Sequence, residues 1–187
     1  MKTLLVIVDM INGFITQGAL SDPNINTITP NILEGVNYCI TNDQPILAFR
    51  DSHDEHANEF KSFPVHCLAN SYESELIDEL KPYETSFKTL LQNSTNGFVQ
   101  PEFLDYFNSI NPDKVIITGC CTDICVLQFT LGLKGYINQY NLPIELYVPK
   151  DSVATFDSPV HNAKEMDEIS FNLLAAAGVN VVDTYQW

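Results

Sequence analysis

The stretch Pro112 to Val126, PDKVIITGCCTDICV, limits what this chain can become more than any other. Val115 to Thr118 has the continuous apolar character of a strand buried on both faces, Gly119 breaks it, and Thr122-Asp123 opens a helix. A strand feeding a helix through a glycine is the repeating unit of parallel α/β sheets. Three cysteines fall in this turn, and Cys125 lies in the first helical turn, where the helix dipole favours a thiolate. Backbone N–H groups of that turn lack intrahelical partners and are suited to receive a developing oxyanion. The competing reading of Cys120, Cys121 and Cys125 is a cluster of small core residues, since free cysteine is among the most buried types.

The rest of the chain repeats the unit. Leu4 to Val8 is an apolar run ending in Asp9, and Gln44 to Arg50 is a second strand ending in Asp51. Thr85 to Phe87 reads as a short strand running into Lys88, Ile144 to Val148 as another, and Val179 to Val182 as the last. Between them, Thr29-Pro30 starts a helix whose apolar face is Ile32, Leu33, Val36, Cys39 and Ile40. Further helices are expected at Glu73 to Leu80, from Pro101 to Ile110, from Thr122 to about Asn138, and from Glu165 to Ala177 with Gly178 just past its end. Met10 to Asn26 reads as loop. This predicts an α/β fold: a doubly wound, mainly parallel six-stranded sheet with helices on both faces, as one domain over residues 1–187. No GxGxxG or P-loop pattern occurs, so a dinucleotide or nucleoside triphosphate is not indicated.

Composition narrows the partners. A net charge of −15 argues against a nucleic-acid groove or an anionic membrane surface, both of which need basic patches. The five cysteines form no CxxC pair or disulfide framework, the apolar run after Lys2 is stopped by Asp9, and no stretch approaches membrane-spanning length. A reducing cytoplasm is the expected compartment.

In a parallel sheet the carboxyl ends of the strands share one edge, so Asp9, Asp51, Lys88 and the Cys125 turn are expected to converge. Three of the four histidines fall between residues 53 and 66. Asp51, His53 and His66, with Glu59 or His56 as a fourth ligand, make a donor set suited to zinc, iron or manganese.

Together these pieces resemble the isochorismatase-like cysteine hydrolases, and within them the nicotinamidase branch. The anchors are VIVDMINGF (6–14), DSH (51–53), FPVHC (63–67), the Lys88 region and GCCTDICV (119–126), which matches the pattern G-x-x-T-D-x-C-V. The resemblance implies a Rossmann-like three-layer fold and a catalytic triad of Asp9, Lys88 and Cys125. It also implies an oxyanion hole from the N–H groups of Cys121 and Cys125, a cis peptide between Cys120 and Cys121, and Phe14 and Phe63 packed against a substrate ring. One divalent transition metal, zinc, iron or manganese, is implied at Asp51, His53, Glu59 and His66. The reaction implied is deamidation of nicotinamide through a thioester, and assembly into a homo-oligomer is left open. Relatives acting on other small amides lack a reason to keep the metal set. In many relatives the lysine stands six residues before an aromatic, and six before Phe98 is Gln92. Lys88, ten before Phe98 and directly after the expected strand, is preferred; an alignment through Gln92 would describe an impaired or non-hydrolytic relative.

Overall fold

A computed structural model describes residues 1–187. The strands are β1 (Thr3–Val8), β2 (Ile46–Asp51), β3 (Lys88–Gln92), β4 (Lys114–Cys120), β5 (Glu145–Pro149), the two-residue β6 (Val153–Ala154) and β7 (Asn180–Val182). All pair in parallel, in the order β3-β2-β1-β4-β5-β7, with β6 added to the end of β4. The seventh strand is thus a short addition to the six expected.

The apolar run of β1 explains why it sits in the middle. Leu4, Val6 and Val8 enter one core, with β4 residues Val115 and Ile117 and helices α3 (Phe103–Ile110), α4 (Leu127–Gln139) and α5 (Ala163–Ala176). Leu5 and Ile7 enter the other, with Ile116 and helices α1 (Asn12–Ile15) and α2 (Thr29–Thr41). Period-two alternation therefore feeds two cores from one strand, and both must be covered by helices. The first core is built around an aromatic cluster in which Phe129 lies 5.1 Å from Phe49 and 5.2 Å from Phe103 between ring centroids.

The chain leaves β1 towards β2 on one side and returns to β4 on the other, so the crevice at the carboxyl ends of β1 and β4 is a topological switch point. The two strands come unusually close there. Gly119 has φ +108°, and a Cβ on it would fall 2.0 Å from the Val8 carbonyl oxygen.

Two local expectations are corrected. The third strand is Lys88–Gln92, not Thr85 to Phe87, of which Thr85 and Ser86 end a 3₁₀ stretch over Lys81–Ser86 and Phe87 caps it. Glu73 to Leu80 is not an α-helix: beyond a 3₁₀ turn (Tyr72–Ser74) it forms an irregular strap. Asn12 N–H donates to the Glu75 carbonyl (2.9 Å) and Ile77 N–H to the Met10 carbonyl (3.2 Å). Burial of Leu76, Ile77 and Leu80 against that strap's partner overrides the local helical pattern. The polar stretch after Met10 is also more ordered than a loop, with α1 and a 3₁₀ segment over Pro23–Ile28.

Candidate active site

Asp9 leaves β1 with φ +50°, fully buried. Its Oδ1 accepts the backbone N–H of Asp51 at the end of β2 (2.9 Å), and its Oδ2 accepts Nε2 of Gln92 at the end of β3 (2.8 Å). Burial, and then the neighbouring Asp51 charge, push the Asp9 carboxyl well above the usual carboxylate range, although a hydrogen bond with Cys125 pulls it down.

Cys125 does not sit in an ordinary helix start. Thr122–Val126 is a single π-helical turn before α4, with Val126 N–H reaching back to the Cys121 carbonyl (3.1 Å). Ile124 N–H also donates to that carbonyl (3.1 Å), whereas the intervening N–H of Cys125 does not. The Cys120–Cys121 peptide just before this turn is cis. The expected thiolate preference is not what the surroundings give. Burial and the charges of Asp9 and Asp51 push the Cys125 thiol well above its ordinary range, against the opposing pull of the Cys121 N–H. Cys120 is spent structurally, its Sγ donating to the Asp9 carbonyl (3.2 Å).

Lys88 is not part of this constellation. It is the first residue of β3, in register with Leu47 and so level with Val6, short of the strand ends where Asp9 lies, and its Nζ pairs with the exposed Glu102 at 3.1 Å. Gln92, four residues on, pairs in register with Asp51 and is 3% exposed. The misplacement follows from ending the third strand at Phe87. Once the strand runs to Gln92, the residue delivered to the site is an amide.

Asp51, His53, Glu59 and His66 form a second group in the same crevice, with one ligand atom from each lying within 4.8 Å of the others. His53 Nε2 is 3.1 Å from Asp51 Oδ2, 3.2 Å from His66 Nε2 and 3.5 Å from Glu59 Oε2. The outer nitrogens are committed elsewhere: His66 Nδ1 donates to the Pro64 carbonyl (2.8 Å) and His53 Nδ1 to Asn93 Oδ1 (3.0 Å). Asn93 is held in that orientation because its Nδ2 donates to Asp54 (3.0 Å). With Nδ1 protonated on both rings, two imidazole lone pairs face each other and two carboxylates. One added proton bridges one such pair and leaves the others opposed; a divalent cation satisfies all four. Asp51 Oδ1 and Glu59 Oε2 are buried without partners, as an intended metal site requires, while Glu59 Oε1 is anchored by the Thr95 N–H. When the imidazoles instead carry protons on Nε2, burial still works to raise the Asp51 carboxyl, but hydrogen bonds from His53 and His66 outweigh it and hold the group below its usual range. His56 is exposed and outside the group, so Glu59 is the fourth member.

Both groups open into one cavity of about 570 Å³. Cys121, Cys125, Asp51 and His66 form its reactive end, and Phe14 and Phe63 are aromatic walls, 5.8 and 6.2 Å from the His66 ring. Sequence reasoning missed the opposite wall, Phe156 to Ser158. This wall is pinned by His161, which stacks on Phe156 at 3.9 Å and bonds Asp123 through Nε2 (2.8 Å). The fourth histidine, far from the other three in sequence, was the available signal. The five cysteines are all free and buried, and no helix is long and apolar enough to cross a membrane.

The model of the isochorismatase domain matches residues 3–186. Nicotinamidase 1 of Arabidopsis thaliana is 33% identical over 180 residues, covering 87% of this chain and 73% of that protein. Among solved structures, the nicotinamidase of Bacillus subtilis superposes with a TM-score of 0.80 at 24% identity, covering 97% of this chain and 99% of that one. The pyrazinamidase of Pyrococcus horikoshii, solved in complex with zinc, gives 0.79 at 21% identity, with 99% and 100% covered.

Proposed function

We propose that this chain, which belongs to the isochorismatase family, deamidates a small neutral aromatic carboxamide of the nicotinamide class. The observation that carries this reading is that the Cys125 sulfur and the Asp51–His66 group open on the same aromatic-walled cavity. A pyridine ring between Phe14 and Phe63 puts its carboxamide at the cysteine end. No Lys or Arg lines the cavity, which disfavours anionic substrates.

The sulfur of Cys125 attacks the amide carbon, its proton passing to Asp9, while the oxyanion is received by the N–H groups of Cys121 and Cys125. Asp9 then returns the proton to the departing ammonia, and water hydrolyses the thioester to the carboxylate. Asp51, His53, Glu59 and His66 would hold a divalent transition metal, zinc, iron or manganese by the nitrogen–oxygen donor set, which would supply a Lewis acid at that end of the cavity. With nicotinamide as substrate, this places the protein in pyridine-nucleotide salvage.

Gln92 favours a second reading, in which the same site binds the amide but turns it over poorly. Ammonia release from nicotinamide, before and after chelation and in Cys125→Ala, separates the two. Metal-dependent release abolished by Cys125→Ala is expected; binding by wild type without release would select the second reading.

A further inference from the structure

The residue that replaces the expected lysine changes the charge balance of the whole site. Asp9 is held by two neutral donors, the Asp51 N–H and Gln92 Nε2. Gln92 has no counter-role elsewhere: its Oε1 is buried without a partner, facing Gly97 so closely that a Cβ there would come within 2.9 Å. No Lys or Arg lines the cavity, and Arg50, next to Asp51 in the chain, is turned away onto Glu84 and the Ser74 carbonyl. Asp9, Asp51 and Glu59 therefore share one crevice with no Lys or Arg among them, and His53 and His66 are the side chains there that can take up a positive charge.

Positive charge nearby makes a cysteine a stronger nucleophile by favouring its thiolate, beyond what a neighbouring base such as Asp9 supplies. The remaining place in this crevice for such charge is the Asp51–His53–Glu59–His66 group. Asp51 links that group to Asp9 directly, its carboxylate belonging to the donor set while its N–H donates to Asp9. We infer that Gln92 is a positioning residue that holds Asp9 without adding charge, so that occupancy of the metal site controls the reactivity of Cys125. This makes the nucleophile metal-gated. The inference rests on the metal site of the proposed function but not on the identity of the substrate.

The test is the rate of iodoacetamide alkylation of Cys125 in the full chain, followed by fragment mass spectrometry to separate it from Cys120 and Cys121, in metal-free and zinc-loaded protein. Zinc should accelerate alkylation of wild type by about tenfold or more, with half the effect at the zinc concentration that half-fills the site in equilibrium dialysis. Gln92→Lys, which restores a cation, should alkylate fast with or without zinc; Gln92→Leu, neutral, should keep the zinc dependence. Equal rates in metal-free and zinc-loaded wild type would overturn the inference, as would an undiminished zinc effect in folded Gln92→Lys. Because alkylation needs no amide substrate, failure to hydrolyse nicotinamide would overturn the proposed function and leave this result standing.

Discussion

Around His53 four ligand atoms converge with their protons turned outward, whereas around Asp9 every contact is a neutral donor. The first region is suited to a cation: outer hydrogen bonds to Asn93, Pro64 and Thr95 orient three of its four ligands, His53, His66 and Glu59. The second has the proposed nucleophile, acid and oxyanion donors, but no Lys or Arg beside them. The contrast teaches that a site can keep its geometry while its electrostatics are redistributed. Here the side chain that meets Asp9 is an amide, and the place where ligand atoms converge to suit a cation is the Asp51–His53–Glu59–His66 group.

The comparison breaks most sharply if the two regions are disabled separately. His53→Ala should lower metal affinity by about a hundredfold or more, beyond what losing an outer partner costs, and take turnover with it. Cys125→Ala should lower turnover by a factor on the order of 10⁴ or more with zinc stoichiometry unchanged by dialysis. If Cys125→Ala also lost zinc, the two regions would not be separate.

A smaller effect sharpens the charge argument. Asp9 has a folded-state pKa raised by burial and by Asp51, so in the metal-free protein the folded state holds its proton more tightly than the unfolded state. Stability from this group is therefore lost as pH rises from the ordinary aspartate range through the raised value. Asp9→Asn removes the penalty, and a flipped Gln92 amide can present its free Oε1 to the new donor. In EDTA at neutral pH, Asp9→Asn should raise the melting temperature, by about 2–4 °C for each kcal/mol relieved, and the gain should vanish as pH falls towards about 4. A gain that persists at low pH would assign the effect to packing instead.

The smallest effect is expected at Lys88. Its pair with Glu102 is exposed, so Lys88→Ala should cost about 0–1 kcal/mol by denaturant unfolding and leave turnover and zinc binding unchanged. Loss of turnover there would restore the lysine to the site.

What could be read from residues alone follows the strength of the local signal. The apolar runs of β1 and β4, with Asp9 and Gly119 at their ends, have no other comfortable home than the centre of a parallel sheet, and they placed the acid and the cysteine turn. The histidines and Asp51 were visible as a donor set because they cluster in sequence. The third strand was not: KTLLQ carries only Leu90 as a deeply buried apolar residue, since it lies at the sheet edge, and a weak period-two pattern slides easily along the chain. That slide of a few residues put Lys88 where Gln92 belongs. The π-helical turn was also hidden, because its Thr-Asp start and apolar residues equally suit an ordinary helix.

Gly119 carries a consequence for how relatives of this chain can diverge. Any side chain there would force β1 and β4 apart against the Val8 carbonyl and pull Asp9 away from Cys125. The contact between two central strands is thus the ruler that sets the spacing of acid and nucleophile, and it leaves no room for substitution. The edge strand β3 carries no such constraint. It can exchange the residue at its tip while the ruler stays fixed, so a lineage can retune the chemistry from the rim of the sheet without remaking its centre.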